Sequence, residues 1–164
     1  VSRSSLEVYR VWVLGGFDNV TFDMVATLMP FLVVGLVLAF TAGFSLNALQ
    51  LGESTAQSLG VRVGFLQLLT GAAIVLLCGT TVAMAGPIAF IGLIVPHLAR
   101  ATAPADMRWL STYSAVYGAT LMALADLIAR SGVFGGNMQA GVMSAIIGGL
   151  VLIWLVRSKG VRKL

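Results

Sequence analysis

Five blocks of apolar residues, at 24–44, 61–85, 87–99, 110–128 and 138–156, are separated only by short stretches holding glycine, proline and a few charges. A helix crossing the hydrocarbon core of a bilayer needs roughly 20 predominantly apolar residues. Backbone in lipid must satisfy its own hydrogen bonds, which closes this repertoire to helices and closed barrels. Blocks of this length are helical in kind, so the chain reads as an all-α integral membrane protein, a bundle of about five transmembrane helices. Composition agrees: 59% of the 164 residues are hydrophobic and 10% are charged, against roughly 25% charged in a soluble domain.

The net charge of +4 does not point to nucleic acid. Arg157, Lys159, Arg162 and Lys163 form a tail directly after the last apolar block, the placement of a membrane flank. The single cysteine, Cys78, lies inside an apolar run and has no intrachain partner for a disulfide. The chain opens on Val1 with a mixed polar stretch, not a signal-peptide pattern, and its N-terminus reads as a cut.

Residues 1–22 read as an external interfacial segment: Leu6, Tyr9, Trp12 and Val13 fall near helical spacing, and Gly15-Gly16 and Asp18-Asn19 are turn-prone. The first block carries Pro30 near one end, where it predicts a mild kink. From 45 to 60 the apolar run lapses, yet leucines recur at helical intervals. Gly52 is expected to break this segment into two short helices and Gly60 to cap the second. The third block is short and bracketed by Gly86-Pro87 and Pro96-His97, so a turn-back competes with a crossing. Charge arbitrates. If all five blocks cross, Arg62, Arg100, Arg108 and the four tail bases share one side, against Arg3, Arg10 and Arg130 on the other. That distribution fits the positive-inside rule with a cytoplasmic C-terminus. Small residues at four-residue spacing, Ala115, Ala119 and Ala123, then Gly141, Ala145 and Gly149, predict close helix packing.

No residue pattern indicates an enzyme, a cofactor or a metal: there is no phosphate-binding loop, no Cys/His ligand spacing, and His97 is the one histidine. A rival reading as a channel or membrane enzyme would have to use His97 and Asp126, which fall near the ends of their blocks. A second rival is a non-transporting fragment that only packs.

The stretch Gly86-Pro87-Ile88-Ala89-Phe90-Ile91-Gly92-Leu93-Ile94-Val95-Pro96-His97-Leu98-Ala99-Arg100 reads as a compact helix with prolines at both ends and glycines for close packing. It resembles, nearly residue for residue, a hallmark of the FecCD family of ABC permeases, which import ferric siderophores, haem and cobalamin. The resemblance runs in register from Trp12–Gly16 to the C-terminal tail. Leu51-Gly52-Glu53-Ser54-Thr55-Ala56-Gln57-Ser58-Leu59-Gly60 is similar to the family's cytoplasmic coupling segment, which docks into the ATP-binding subunit. This implies coupling roles for Gly52, Glu53, Ala56, Leu59 and Gly60. Ala125-Asp126-Leu127-Ile128-Ala129-Arg130 is similar to an outer motif whose arginine pairs with the substrate-binding protein. Arg130 inherits that role beside a second reading, local pairing with Asp126 four residues earlier.

The last block departs from the family pattern. Asn137-Met138-Gln139-Ala140-Gly141 stands where Glu-Leu-Pro-x-Gly is usual, and Gly148-Gly149-Leu150 where Gly-Ala-Pro is usual. In the family this helix borders the pathway, which makes Met138, Gly141 and Met143 candidate lining residues alongside ordinary packing. Family permeases have about ten helices, of which this chain supplies the counterpart of the last five. The resemblance therefore implies half of a ten-helix permease, either truncated or split, in a bacterial cell membrane. Its implied partners are a second permease subunit, cytoplasmic ATP-binding subunits and an extracytoplasmic binding protein. The cargo expected from the family's commonest use is ferric siderophore, with haem and cobalamin as alternatives.

Overall fold

A computed structural model describes residues 14–131 and 139–160. The interfacial-helix expectation over Tyr9, Trp12 and Val13, Asn137, Met138, and the bases Arg3, Arg10, Arg162 and Lys163 lie outside them. Within the described residues every regular element is an α-helix: α1 (Phe22–Leu49), α2 (Glu53–Ser58), α3 (Val63–Ala85), α4 (Ile91–Thr102), α5 (Met107–Arg130) and α6 (Ala140–Gly160). Three of them, α1, α3 and α5, are long and apolar enough to cross a membrane, and α6 carries a shorter apolar stretch, Ala140–Ile153. The chain forms two compact units, one comprising residues 20–84 and 102–113, the other the remainder.

In the first unit, Thr21 caps α1 by accepting a hydrogen bond from the Met24 amide, and Asp23 sits in the first turn, where the helix dipole favours an anion. The helix does not stop where the apolar run lapses. It continues through Ser45 to Leu49, so Gly52 separates one long helix from one short helix, not two short ones. Gly52 has φ 101° and ψ 151°, a conformation open essentially to glycine alone. The six-residue α2 closes on Gly60, at φ 85°, with the Gly60 amide donating to the Gln57 carbonyl and the Val61 amide to the Ala56 carbonyl. This pair of bonds satisfies the free carbonyls of the last turn. Chain reversal then brings α3 back against α1. A Cβ on Gly35 would stand 2.9 Å from Leu77 Cγ, so the close approach requires glycine. Hydroxyls of Thr70, Thr80 and Thr81 bond to carbonyls four residues back in α3, which satisfies these hydroxyls within an apolar helix.

The chain leaves this unit after Met84, about 30 Å of helix rise from Val63. It re-enters at Thr102, and Asp106 is hydrogen-bonded to Asn47 near the end of α1 from which it started.

In the second unit, α4 begins at Ile91 and not at Pro87. Gly86 and Phe90 both have positive φ, 72° and 67°, which holds the intervening residues out of a helix. Pro96 consequently lies inside α4, not at its end. Gly148 of α6 packs where its Cβ would meet Phe90 Cβ at 2.7 Å and Ile94 Cδ1 at 2.8 Å. Ala125, Ala129 and Met143 form the core, flanked by Ile128 and Ile147. Two expectations about small residues are corrected. Ala115, Ala119 and Ala123 are exposed, the buried face of α5 being Met122, Ala125 and Ala129. Gly92 and Gly149 have open space where a Cβ would be, whereas Gly141 is in tight contact.

Candidate functional site

Polar and charged side chains gather at two places. The first is the short helix α2 and the helix ends beside it. Ala56 is fully buried and fastens α2, while Gly52, Glu53 and Gly60 are exposed and Leu51 and Leu59 present about two thirds of their surface to solvent. The sequence singled out Gly52, Glu53, Ala56, Leu59 and Gly60 together. The structure divides them: Gly52 and Gly60 shape the two turns, Ala56 anchors, and Glu53 and Leu59 form the presented surface.

Next to α2, the end of α1 is fastened to the start of α5. Asn47 Nδ2 donates to Asp106 Oδ1 at 2.8 Å, and Asn47 Oδ1 accepts from the Met107 amide at 2.8 Å. The carboxamide orientation follows from chemistry, because a carboxylate only accepts and a backbone N–H only donates. Asp106 Oδ1 also accepts from the Arg108 amide at 2.9 Å, which makes Asp106 the cap of α5. The Arg108 guanidinium lies 3.8 Å from the Phe44 ring centroid, and its Nε is 3.8 Å from Asp106. Beneath it, a Cβ on Gly43 would stand 3.1 Å from Arg108 Cγ. The Asn47 hydrogen bond is the main cause holding the Asp106 carboxyl below its ordinary pKa. The Arg108 amide and charge add to it, and partial desolvation opposes. Sequence reasoning passed over Asn47 and Asp106. Asp106 carried a signal, an aspartate just ahead of an apolar helix; Asn47 carried none, its partner lying 59 residues away.

The second place is the C-terminal end of α5. Arg130 Nε donates to Asp126 Oδ2 at 2.9 Å, the pairing expected from the four-residue spacing. Its other arm lies 3.4 Å from Asp18, an acid that no spacing or motif singles out. Arg130 and Asp18 are both more than half exposed. The turn bearing Asp18 is tied down by two backbone bonds, Gly16 N–H to Ala85 at 2.8 Å and Gly141 N–H to Gly15 at 2.9 Å.

The remaining candidates make local contacts. Gly86 is buried, and the Pro87 carbonyl stands where a Cβ on Gly15 would fall, 2.6 Å away. His97 Nδ1 sits 3.3 Å from the Leu93 carbonyl of its own helix, and Asp126 is taken by Arg130, so each is engaged locally. Met143 is buried in the core, and Gly141 abuts the Leu14 and Gly15 carbonyls. Among the described residues no three His, Cys, Asp or Glu side chains are placed to hold a metal.

Comparison with known proteins gives a consistent result. The sequence profile of the FecCD transport family matches residues 1–158. The probable siderophore transport system permease protein YfiZ of Bacillus subtilis (strain 168) is 38% identical over 159 residues, 96% of this chain and 48% of that protein. The Fe(3+) dicitrate transport system permease protein FecC of Escherichia coli (strain K12) is 42% identical over 149 residues, 91% of this chain and 45% of that protein. A solved structure described as a metal-chelate type ABC transporter in an inward-facing conformation superposes with a TM-score of 0.82 at 29% identity. It covers 96% of this chain and 52% of the other. The chain thus spans about half the length of the relatives it matches.

Proposed function

Because the chain belongs to the FecCD transport family and is a multi-pass membrane protein, we propose that it forms the C-terminal half of a permease in a binding-protein-dependent ABC importer for metal chelates. The cargo class is ferric siderophore, with haem and cobalamin as alternatives, and ATP is hydrolysed by a partner subunit. The observation that carries this reading is the architecture of α2. Ala56 is fully buried, yet Glu53, on this helix of six residues, and Leu51 and Leu59, which flank it, are presented outward. An anchored helix with an apolar and acidic outer face suits docking into a cleft of an ATP-binding subunit. Movement of that subunit would displace α2 and switch packed helices between two arrangements.

The permease would pair with a second copy or a close relative to enclose the pathway. The α2 side is cytoplasmic in this reading, as is the C-terminus, and Arg130 faces outward. There, Arg130 exchanges Asp18 for an acidic group on the binding protein. Exposed ion pairs of this kind contribute only about 0–1 kcal/mol, so the exchange costs little. The test is co-purification of the complete permease with its ATP-binding subunit, comparing wild type with a deletion of residues 52–60. Retention by wild type and loss on deletion is the expected result. Equal retention by both folded proteins would remove the coupling role of α2.

A further inference from the structure

The Asn47–Asp106 contact lies at the end of α1 that leads directly into α2. Leu49, the last residue of α1, is four residues from Glu53, and α2 packs on α1. Only two residues before that end, Asn47 reaches across to the first turn of α5. We propose that Asn47 and Asp106 are positioning residues that form a joint, through which displacement of α2 is passed from the end of α1 to the start of α5. The proposal rests on the coupling role assigned to α2 above.

Three features support transmission over simple packing. The joint is bidentate: one carboxamide engages both the Asp106 carboxylate and the Met107 amide, which fixes the side chain in direction as well as distance. It grips α5 at its cap, where the first backbone amides have no partner within the helix, so α5 is held by its end and not by its side. Phe44 and Gly43, one turn back on α1, receive Arg108, so a second contact resists rotation about the first. Hydrogen bonds between a carboxylate and an amide are among the stronger side-chain contacts. A contact of this kind cannot slide without breaking.

The experiment uses the complete permease assembled with its ATP-binding subunit in a lipid bilayer, in a Cys78→Ser background. Spin labels are placed singly at Gln57, on α2, and at Ser111, on the second turn of α5. ATP is the only addition, so the cargo need not be known. In wild type both labels are expected to shift on ATP binding. Asn47→Asp sets two carboxylates face to face with no donor between them, and Asn47→Ala removes the bridge without adding charge. In either, the shift at Gln57 should persist and the shift at Ser111 should be lost. The exchange Asn47→Asp with Asp106→Asn restores one amide, one carboxylate and an acceptor for each backbone N–H, and should restore the Ser111 shift. A Ser111 shift that survives in Asn47→Ala, or is not rescued by the exchange, overturns the joint while leaving α2 in its role. Silence at both labels in wild type overturns the coupling reading itself, and the joint with it.

Discussion

The polar clusters at the two ends of α5 are built from similar groups in opposite ways. At the start, a single amide and a single carboxylate are locked by short hydrogen bonds to each other and to backbone amides, so that each atom has one satisfactory arrangement. At the far end, Arg130 divides itself between Asp126 on its own helix and Asp18 on a distant turn, with more than half of the guanidinium side chain exposed. A hydrogen-bonded cap with no alternative partner is suited to transmit force. An exposed arginine between two acids has alternatives by construction, and an acid offered from outside is simply a third. On the roles proposed above, the polar groups of a membrane helix serve as joint or socket according to their degree of satisfaction, not their charge.

The harshest way to break the comparison is to remove the turn that brings Asp18 to Arg130. In Gly141→Ala the new Cβ would fall 2.1 Å from the Leu14 carbonyl oxygen and 2.6 Å from that of Gly15. These are backbone atoms with nowhere to retreat, so a cost of about 3 kcal/mol is expected, the upper end for overpacking. Thermal unfolding of the detergent-solubilised protein should show a large loss of midpoint, with Gly149→Ala, at an open position, as the unaffected control. Next comes Asn47→Ala. Leaving the Met107 amide without its acceptor alone costs about 1 kcal/mol, and the unfolding midpoint should fall by more than in Arg130→Ala.

Much of this was readable in the chain. Apolar blocks gave the helices, Gly52 and Gly60 marked both turns of α2, and the spacing of Asp126 and Arg130 predicted their pairing. What was not readable has a physical pattern. The apolar run ends at Phe44 but the helix does not: α1 is continued by Ser45–Leu49, where Asn47 is held by residues 59 and 60 positions on. Alanines at 115, 119 and 123 do share a face, but it is an outer one. In water the apolar face of a helix is the buried face; in a bilayer both faces are apolar, so periodicity names a face without saying where it points. Pro96 falls inside α4 because Gly86 and Phe90, at positive φ, delay the helix, and a phenylalanine in that conformation has no sequence signature.

Arg130→Ala tests the socket. Its pairs are exposed and therefore screened by salt, so stability should change by less than about 1 kcal/mol. Binding-protein affinity of the complete permease, measured by titration in nanodiscs, should nevertheless fall about tenfold, the scale of one interfacial charge pair. An unchanged affinity would assign Arg130 to its own chain alone.

The smallest expected effect is the pH dependence of the joint. Asp106 has its folded pKa depressed, chiefly by the Asn47 hydrogen bond and then by the Arg108 amide. A depressed carboxyl contributes stability that is complete above the unfolded aspartate pKa, about 3.9, and is lost as pH falls through the lower folded value. Protonation also converts the acceptor facing Asn47 Nδ2 into a group that competes as a donor. The wild-type unfolding midpoint should therefore bend downward below about pH 4, and the bend should flatten in Asn47→Ala, where the largest cause of the shift is gone. Arg130→Ala should leave that bend intact, because its acids belong to the other end of α5. If Asn47→Ala kept the full bend, the carboxyl would be held by Arg108 and the helix start alone, and the joint would reduce to an ordinary cap.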